Sequence, residues 1–489
     1  MKRRLQQLLA VLMLVPVFYS CATYNSSMGS YYSNLQAGNF EKAKHNLENN
    51  KLIKKDRNAL LYNLEMGKLF RLQNDLRNSN NYLNVADNLM ESNRKSIADV
   101  ALSNLVNPMH QAYRGEDYEK FMMHYYKVLN YAAQGNTEEA VVEARRITLS
   151  TYKQDEKFTN KDNRYSKDAF ALNLQGMIYE MAGENNNAFI AYRNAAELYI
   201  KNNNDYYGVK MPAQLQQDVL RTARAIGFVG DEFQYEKVFN TSYKINNNEN
   251  GALILFIEEG QAPVKEENNI LLTSAGNGVN SFNYIDFNGQ NANFNFDNTA
   301  YNISNNKLSS LRTFKLSLPT YRVQYLQQQN IKISNDSIFF DAQLAQNINS
   351  VAVNVMKERF LTELANALVR QLTKKLVEEG VTTLAEGIAR STDKRDATDS
   401  NKEEQEKLYK KKEDRINTVG EIAGFAMNIF NAVNEKADTR NWQSLPAFVH
   451  YVRIPLHAGE NNIKVVVSGT TKTIKVNGRK GLQMMGVEI

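Results

Sequence analysis

The chain has 489 residues with 43% hydrophobic content, enough for two or three domains with substantial cores. Its net charge is +6, half of it from Lys2, Arg3 and Arg4; beyond these three, bases and acids nearly balance, which excludes the steering field of a nucleic-acid binder. Asparagine-rich stretches such as "NNNEN" and "NISNN" read as polar loops.

In chain order, "MKRR" is a basic start and "LLAVLMLVPVF" a short apolar run, within signal-peptide length and too short to span a bilayer. Ser20 and Cys21 follow. The layout resembles a bacterial lipoprotein signal, which implies a signal over 1–20 and lipidation of Cys21 as the new N-terminus. The alternative is a plain secretory signal with an incidental cysteine. Cys21 is the only cysteine, so no disulfide is expected in an exported chain. Several acyl chains, at about 0.8 kcal/mol per buried CH₂, give a stable membrane anchor. "ATYNSSMGSYYS" reads as a polar tether over 21–30. It carries no acidic residue, which by the resemblance implies the periplasmic side of the outer membrane. No later run is apolar enough to predict a transmembrane helix.

Residues 31–235 predict helical pairs. In "LQGMIYEMAGENNNAFIAYRNAAELY", Gly176 and Tyr179 share one helix, Gly183 marks a turn, and Ala188, Tyr192 and Ala195 recur on the next helix. This resembles a tetratricopeptide unit, in which small residues admit close helix approach and aromatics fill the holes between. Weaker copies carry Gly38, Ala43 and Leu47; Gly67, Phe70, Ser79, Leu83 and Ala86; and Tyr131, Gly135, Ala140 and Ala144. Such an array usually offers a face to an extended or helical partner. Tyr179, Tyr192 and Arg193 on the best repeat are candidate binding residues; the spacing of the tyrosines also fits inter-helix core.

From 240 to 489 the period changes to that of strands. "GALILFIEEGQAPVK" reads as a buried strand and turn, and "TFKLSLPTYRV", "IKISNDSIFFD" and "FVHYVRIPLHAGENNIKVVVSG" alternate around turn signals. A sandwich-like β domain is predicted. A helical hairpin is predicted as an insertion over 343–437, with GxxxG glycines Gly420 and Gly424 in its second helix, read either as a membrane or self-association face or as a close soluble packing. The predicted fold class is therefore α+β, an all-α tetratricopeptide-like array followed by a β-rich domain.

"NPMHQAYRGEDYEKFMMHYYKVLNYAAQGNTEEAVVEARR", "NGALILFIEEGQAPVKEE" and "ADTRNWQSLPAFVHYVRIPLHAGENNI" together resemble a family of uncharacterised bacterial lipoproteins with a tetratricopeptide-like N-terminal half. The resemblance implies architecture and envelope location. Within "ADTRNWQSLP", Asp438, Arg440 and Trp442 have two readings. One is a ligand-recognition corner; the other is a joint locking helices to the sheet, with Trp442 packed.

No residue stands out as catalytic. The histidines (His45, His110, His124, His450, His457) form no close metal pattern, and GxSxG, P-loop and Rossmann motifs are absent. No metal and no cofactor is expected. The reading is a non-catalytic adaptor of the cell envelope that meets the membrane through its anchor and a protein or peptide through its array, with no nucleic-acid partner. An oligomeric membrane-associating assembly and a glycan hydrolase with a carboxylate pair are the alternatives.

Overall fold

The computed structural model describes residues 23–92, 108–155, 165–244, 250–275, 281–286, 289–296, 313–324, 331–378, 436–467 and 470–489. Helices fill the first half in consecutive pairs: α1 (Tyr24–Gln36) with α2 (Phe40–Asn49), α3 (Ala59–Leu72) with α4 (Leu76–Ser92), α5 (Asp117–Ala133) with α6 (Thr137–Asp155), α7 (Ala169–Met181) with α8 (Asn185–Lys201), and α9 (Ala213–Ala225) with α10 (Val229–Phe239). Each pair turns through one left-handed residue, in order Gly38, Asn74, Gly135, Gly183 and Gly227. A left-handed residue just past a helix end satisfies its last carbonyls and reverses the chain. Glycine takes that conformation without strain and asparagine with little.

Twelve strands follow in the described residues: β1 (Ala252–Glu259), β2 (Val264–Ser274), β3 (Ser281–Ile285), β4 (Asn291–Asn295), β5 (Thr313–Arg322), β6 (Ile331–Asn335), β7 (Ile338–Asp341), β8 (Gln343–Asn347), β9 (Phe448–Pro455), β10 (Gly459–Val467), β11 (Thr470–Gly478) and β12 (Leu482–Glu488). Helix α11 (Ile348–Glu378) lies between β8 and β9 in the chain. The strands form three sheets, ordered β12-β1-β9-β8, β11-β10-β6-β7 and β4-β3-β2-β5. The β1–β12 pair is parallel and the other strand pairs are antiparallel.

The chain is α+β, with a helical N-terminal half and a β-rich C-terminal half, as predicted. Side-chain alternation explains how the layers join. On β1, Leu253, Leu255 and Ile257 pack with Ile333, Ile463 and Val465 of the second sheet, which makes a sandwich. Ile254 and Phe256 point the other way, into the core of the helical array. A strand covered on both faces must be apolar throughout, which is why "ALILFI" shows no alternation. The third sheet has its own core, in which Leu272, Phe282 and Leu316 pack on Leu364 and Leu368 of α11.

Three expectations change. The segment read as a tether over 21–30 is, from Tyr24 onward, the first helix: Thr23 caps it, and Tyr24 and Met28 are fully buried. The predicted helical insertion starts at Ile348, because Gln343–Asn347 is a strand paired with β9. The array and the β-rich half share one core rather than standing as separate modules. Cys21, the second helix of the hairpin and its glycines lie outside the described residues.

Candidate functional site

The face expected to receive a partner is covered by the chain itself. In α3, α5 and α7, the first helices of their pairs, burial runs almost all the way round. In α4 and α8, their second helices, burial is confined to one side. The first helices are thus enclosed between the second helices and the first sheet. Phe256 of β1 meets Tyr125 of α5 and Phe170 of α7, with ring centroids 5.4 and 6.0 Å away.

Buried charges cross this junction in pairs. Lys68 of α3 lies 2.6 Å from Glu258 of β1 and 3.0 Å from Glu488 of β12. Tyr125 and Tyr126 donate to the two oxygens of Glu258 at 3.1 and 2.9 Å. Burial pushes the Glu258 carboxyl up, but the Lys68 and Arg71 charges outweigh it and hold it below the usual range. Further along, Arg453 of β9 donates to Glu180 and, at 3.0 Å, to Asp218, while Arg221 reaches Glu180 at 2.6 Å. Burial opposes ionisation of Glu180 too, yet the two guanidiniums bring it down to about 2. A carboxylate buried without such a partner would cost several kcal/mol.

The segment 437–447 has no helix or strand hydrogen bonding of its own and is nonetheless buried over nearly all its length. Its polar groups are satisfied on one side by the sheets, where the Ala447 amide donates to the Glu259 carbonyl and Asn441 donates to the Pro263 carbonyl, and on the other by the array. The Arg440 guanidinium donates to Asn58 Oδ1 at 2.7 Å, to the carbonyls of Gln111 and Pro108 at 3.0 Å each, and to both oxygens of Asp438. It also lies over the Tyr113 ring. The Trp442 amide donates to Glu119 at 2.7 Å, and its indole N–H to Ser444 at 2.9 Å. Glu119 further accepts from Tyr113 at 2.6 Å and from the Glu116 amide at 3.0 Å. Burial, helped by the Glu116 charge, pushes Glu119 up to about 7. Glu65 accepts from Tyr31 and Tyr32 at 3.0 and 2.7 Å, and burial pushes it up to about 7 as well.

The residues chosen from the sequence fall mostly inside. Arg440 and Trp442 are buried in the joint, so their role as an exposed recognition corner does not hold, while Asp438 is bound to Arg440. Tyr192 is buried against Gly176, with its hydroxyl on Glu180, and Tyr179 is buried on α7. Arg193 is half-exposed; it covers Phe189 and pairs with Glu197 at 3.7 Å. Lys68, Glu258 and Arg453 were not singled out in the sequence. The signal available was "LFIEEG", where two acids continue a run that burial on both faces requires to be apolar.

Asp87, His124 and Glu143 come close enough to suggest a metal site. However, the Lys127 ammonium lies 2.8 Å from Asp87 and 2.8 Å from Glu143, and His124 lies 2.7 Å from Glu143. Lys127 supplies the positive charge that the carboxylates need, so the cluster is complete as an ion-pair network. Among the described residues no helix is long and apolar enough to cross a membrane.

Among the described residues of the array, the most exposed large apolar side chains lie at its end. Val229 is 71% exposed and Phe233 58%, four residues apart on α10, and Phe228 at the helix start adjoins them. No family model matches the chain, and no curated protein matches it.

Proposed function

We propose that the protein is a lipid-anchored, non-catalytic adaptor of the bacterial cell envelope that binds a helical protein segment at the open end of its array. The anchor is Cys21, on the periplasmic side of the outer membrane. The observation that carries the binding role is the apolar face of α10. In a stacked array each pair covers the exposed face of the one before, and the terminal pair ordinarily presents a polar cap. Here the terminal helix presents Val229 and Phe233 at one face. The cover that fits is another amphipathic helix, laid on α10 as α10 lies on α9. The inner face of the array is unsuited to this task because the first sheet and the segment 437–447 fill it.

The test is photocrosslinking in intact cells, with a photoreactive residue placed in turn at 229 and 233 of the full-length chain. The expected result is one partner captured at both positions, crosslinked through a helical segment, and lost in Phe233→Asp. Cys21→Ser should weaken the capture if the anchor brings the two together. Crosslinks confined to this chain, or different products at the two positions, would remove the proposal.

A further inference from the structure

The turn residues within the helix pairs lie at one end of the array, so the connections between pairs lie at the other, where α1 also begins. Asn50, which caps the end of α2, shows the join: its Nδ2 donates to the Ser27 carbonyl in the first turn of α1 at 2.8 Å, and its Oδ1 accepts from the Ser27 hydroxyl at 3.2 Å. The same Oδ1 accepts from the amides of Leu52 and Ile53 at 2.9 and 3.2 Å, and Ile53 is fully buried, so the loop 51–57 is fixed against the start of α1. It carries Lys51, Lys54, Lys55 and Arg57 against one acid, Asp56. The three lysines are exposed and Arg57 is half-buried. Among the described residues none of these four bases is in an ion pair. Arg57 instead donates to Nδ1 of His110 at 3.0 Å, a group with no negative charge to offer. Burial, and after it the charges of Arg57, Lys55 and Arg440, hold His110 below its usual range, as a local excess of positive charge requires.

We infer that this loop docks on an anionic bilayer surface and so fixes how the array stands on the membrane. The occupant follows from where the chain goes. Thr23 caps α1, and only Ala22 separates it from Cys21. An extended chain covers at most about 3.6 Å per residue, so Cys21 lies within roughly 7 Å of Thr23. On the reading of Cys21 as the lipid anchor, on which this inference rests, the bilayer meets the protein at the start of α1. The loop that Asn50 ties to that point then faces the headgroups. A lysine or arginine close to an anionic surface tightens binding by about fivefold, and the effect fades beyond about 10 Å at 0.1 M salt. Helix α10 is the last of the array and α1 the first, so the bilayer surface and the partner surface are separate.

The test is cosedimentation of the chain from residue 21 onward, with Cys21→Ser so that acyl chains do not mask the protein surface, with vesicles of phosphatidylglycerol or of phosphatidylcholine in 0.1 M salt. Polyglutamate serves as an acidic polypeptide for comparison. Binding should be confined to phosphatidylglycerol. Lys54→Glu should weaken it at least tenfold and leave Tm unchanged, because the side chain is exposed and unpaired. Arg77→Glu makes the same change of charge on an exposed residue at the turn end of the α3–α4 pair, about 20 Å along α3, and should weaken binding less than twofold. Equal binding to the two lipids, equal losses in the two variants, or binding of polyglutamate but of neither vesicle overturns the inference. The mass of Cys21 in the native protein tests the anchor separately. Acyl chains there, with no vesicle binding by the Cys21→Ser chain, leave the anchor standing and overturn this inference; a free thiol with vesicle binding intact keeps the surface and removes the anchor.

Discussion

At Gly176 the packing of α7 on α8 admits nothing larger than hydrogen. A Cβ there would lie 2.4 Å from Cδ1 of Tyr192, a fully buried ring whose hydroxyl is held by Glu180 at 2.8 Å. The ring is bound at both ends and has no room to withdraw. At Gly67 a Cβ would meet Leu83 at Cδ2 and Cγ, 2.6 and 2.7 Å away, and this buried side chain must shift, though it is aliphatic and is not pinned by a hydrogen bond as Tyr192 is. Gly29, also inside a helix, has nothing within 4 Å. Gly176→Ala should therefore destabilise by about 1–3 kcal/mol through overpacking, despite the gain of about 1 kcal/mol in helix propensity. Gly29→Ala should stabilise by about 0.5–1 kcal/mol, and Gly67→Ala should fall between the two. Urea unfolding of the three variants measures this. Similar changes at 176 and 29 would mean that the close approach has no energetic weight.

At the scale of elements, the segment 437–447 joins the helices to the sheet, and its grip depends on buried acids. Glu65 and Glu119 both titrate at about 7 in the fold, against an ordinary value of 4.5. At these two sites the folded protein therefore binds protons more tightly than the unfolded chain between roughly pH 4.5 and 7. The stability these groups contribute is fully present below pH 4.5 and is lost as pH rises through 7. His450 acts oppositely: burial brings it down to about 4, so acidification from its ordinary 6.5 costs stability. The contribution of Glu119 is isolated by comparison with Glu119→Gln, whose stability relative to the wild type should rise by up to roughly 3 kcal/mol between pH 4.5 and 7.5. Chemical denaturation across that range gives the difference, and a flat difference would place the Glu119 carboxyl at its ordinary value. Some of this architecture was legible in sequence. The glycine turns, the small residues at helix crossings and the unbroken apolar run of β1 each impose a local requirement that leaves a local trace. Helix α1 was hidden because its buried stripe of Tyr24, Met28, Tyr31, Tyr32 and Leu35 is set among Ser, Asn and Gly, which lower helix propensity and mimic a linker. The inward placement of Arg440 and Trp442 depends on Asn58, Pro108 and Glu119, more than 300 residues away in the chain, and no local pattern encodes that.

For the whole molecule, the consequence is cooperativity. One core runs from Tyr24 of α1 through Phe256 of β1 to Met484 of β12. Removing the sheet would leave Lys68 without Glu258 and Glu488, and Glu180 without Arg453. Water would hydrate those charges, but it would also reach the apolar rings that pack on Phe256, among them Tyr125 and Phe170, and exposing apolar surface costs about 25 cal/mol per Å². The array therefore has no low-energy state in which the sheet is absent. The protein carries its own probes for this. Helix ellipticity reports the array helices together with α11, and the fluorescence of Trp442, the only tryptophan, reports the joint. The two signals should share one transition in urea, as two-state unfolding requires. Phe256→Ala, in the strand that both cores share, should shift both signals together and cost about 3–5 kcal/mol. Helical signal that persists after the tryptophan has become exposed, and exceeds what α11 alone supplies, would show that the array stands by itself. The inner face would then be free to meet a partner, and the argument that confines binding to α10 would fail.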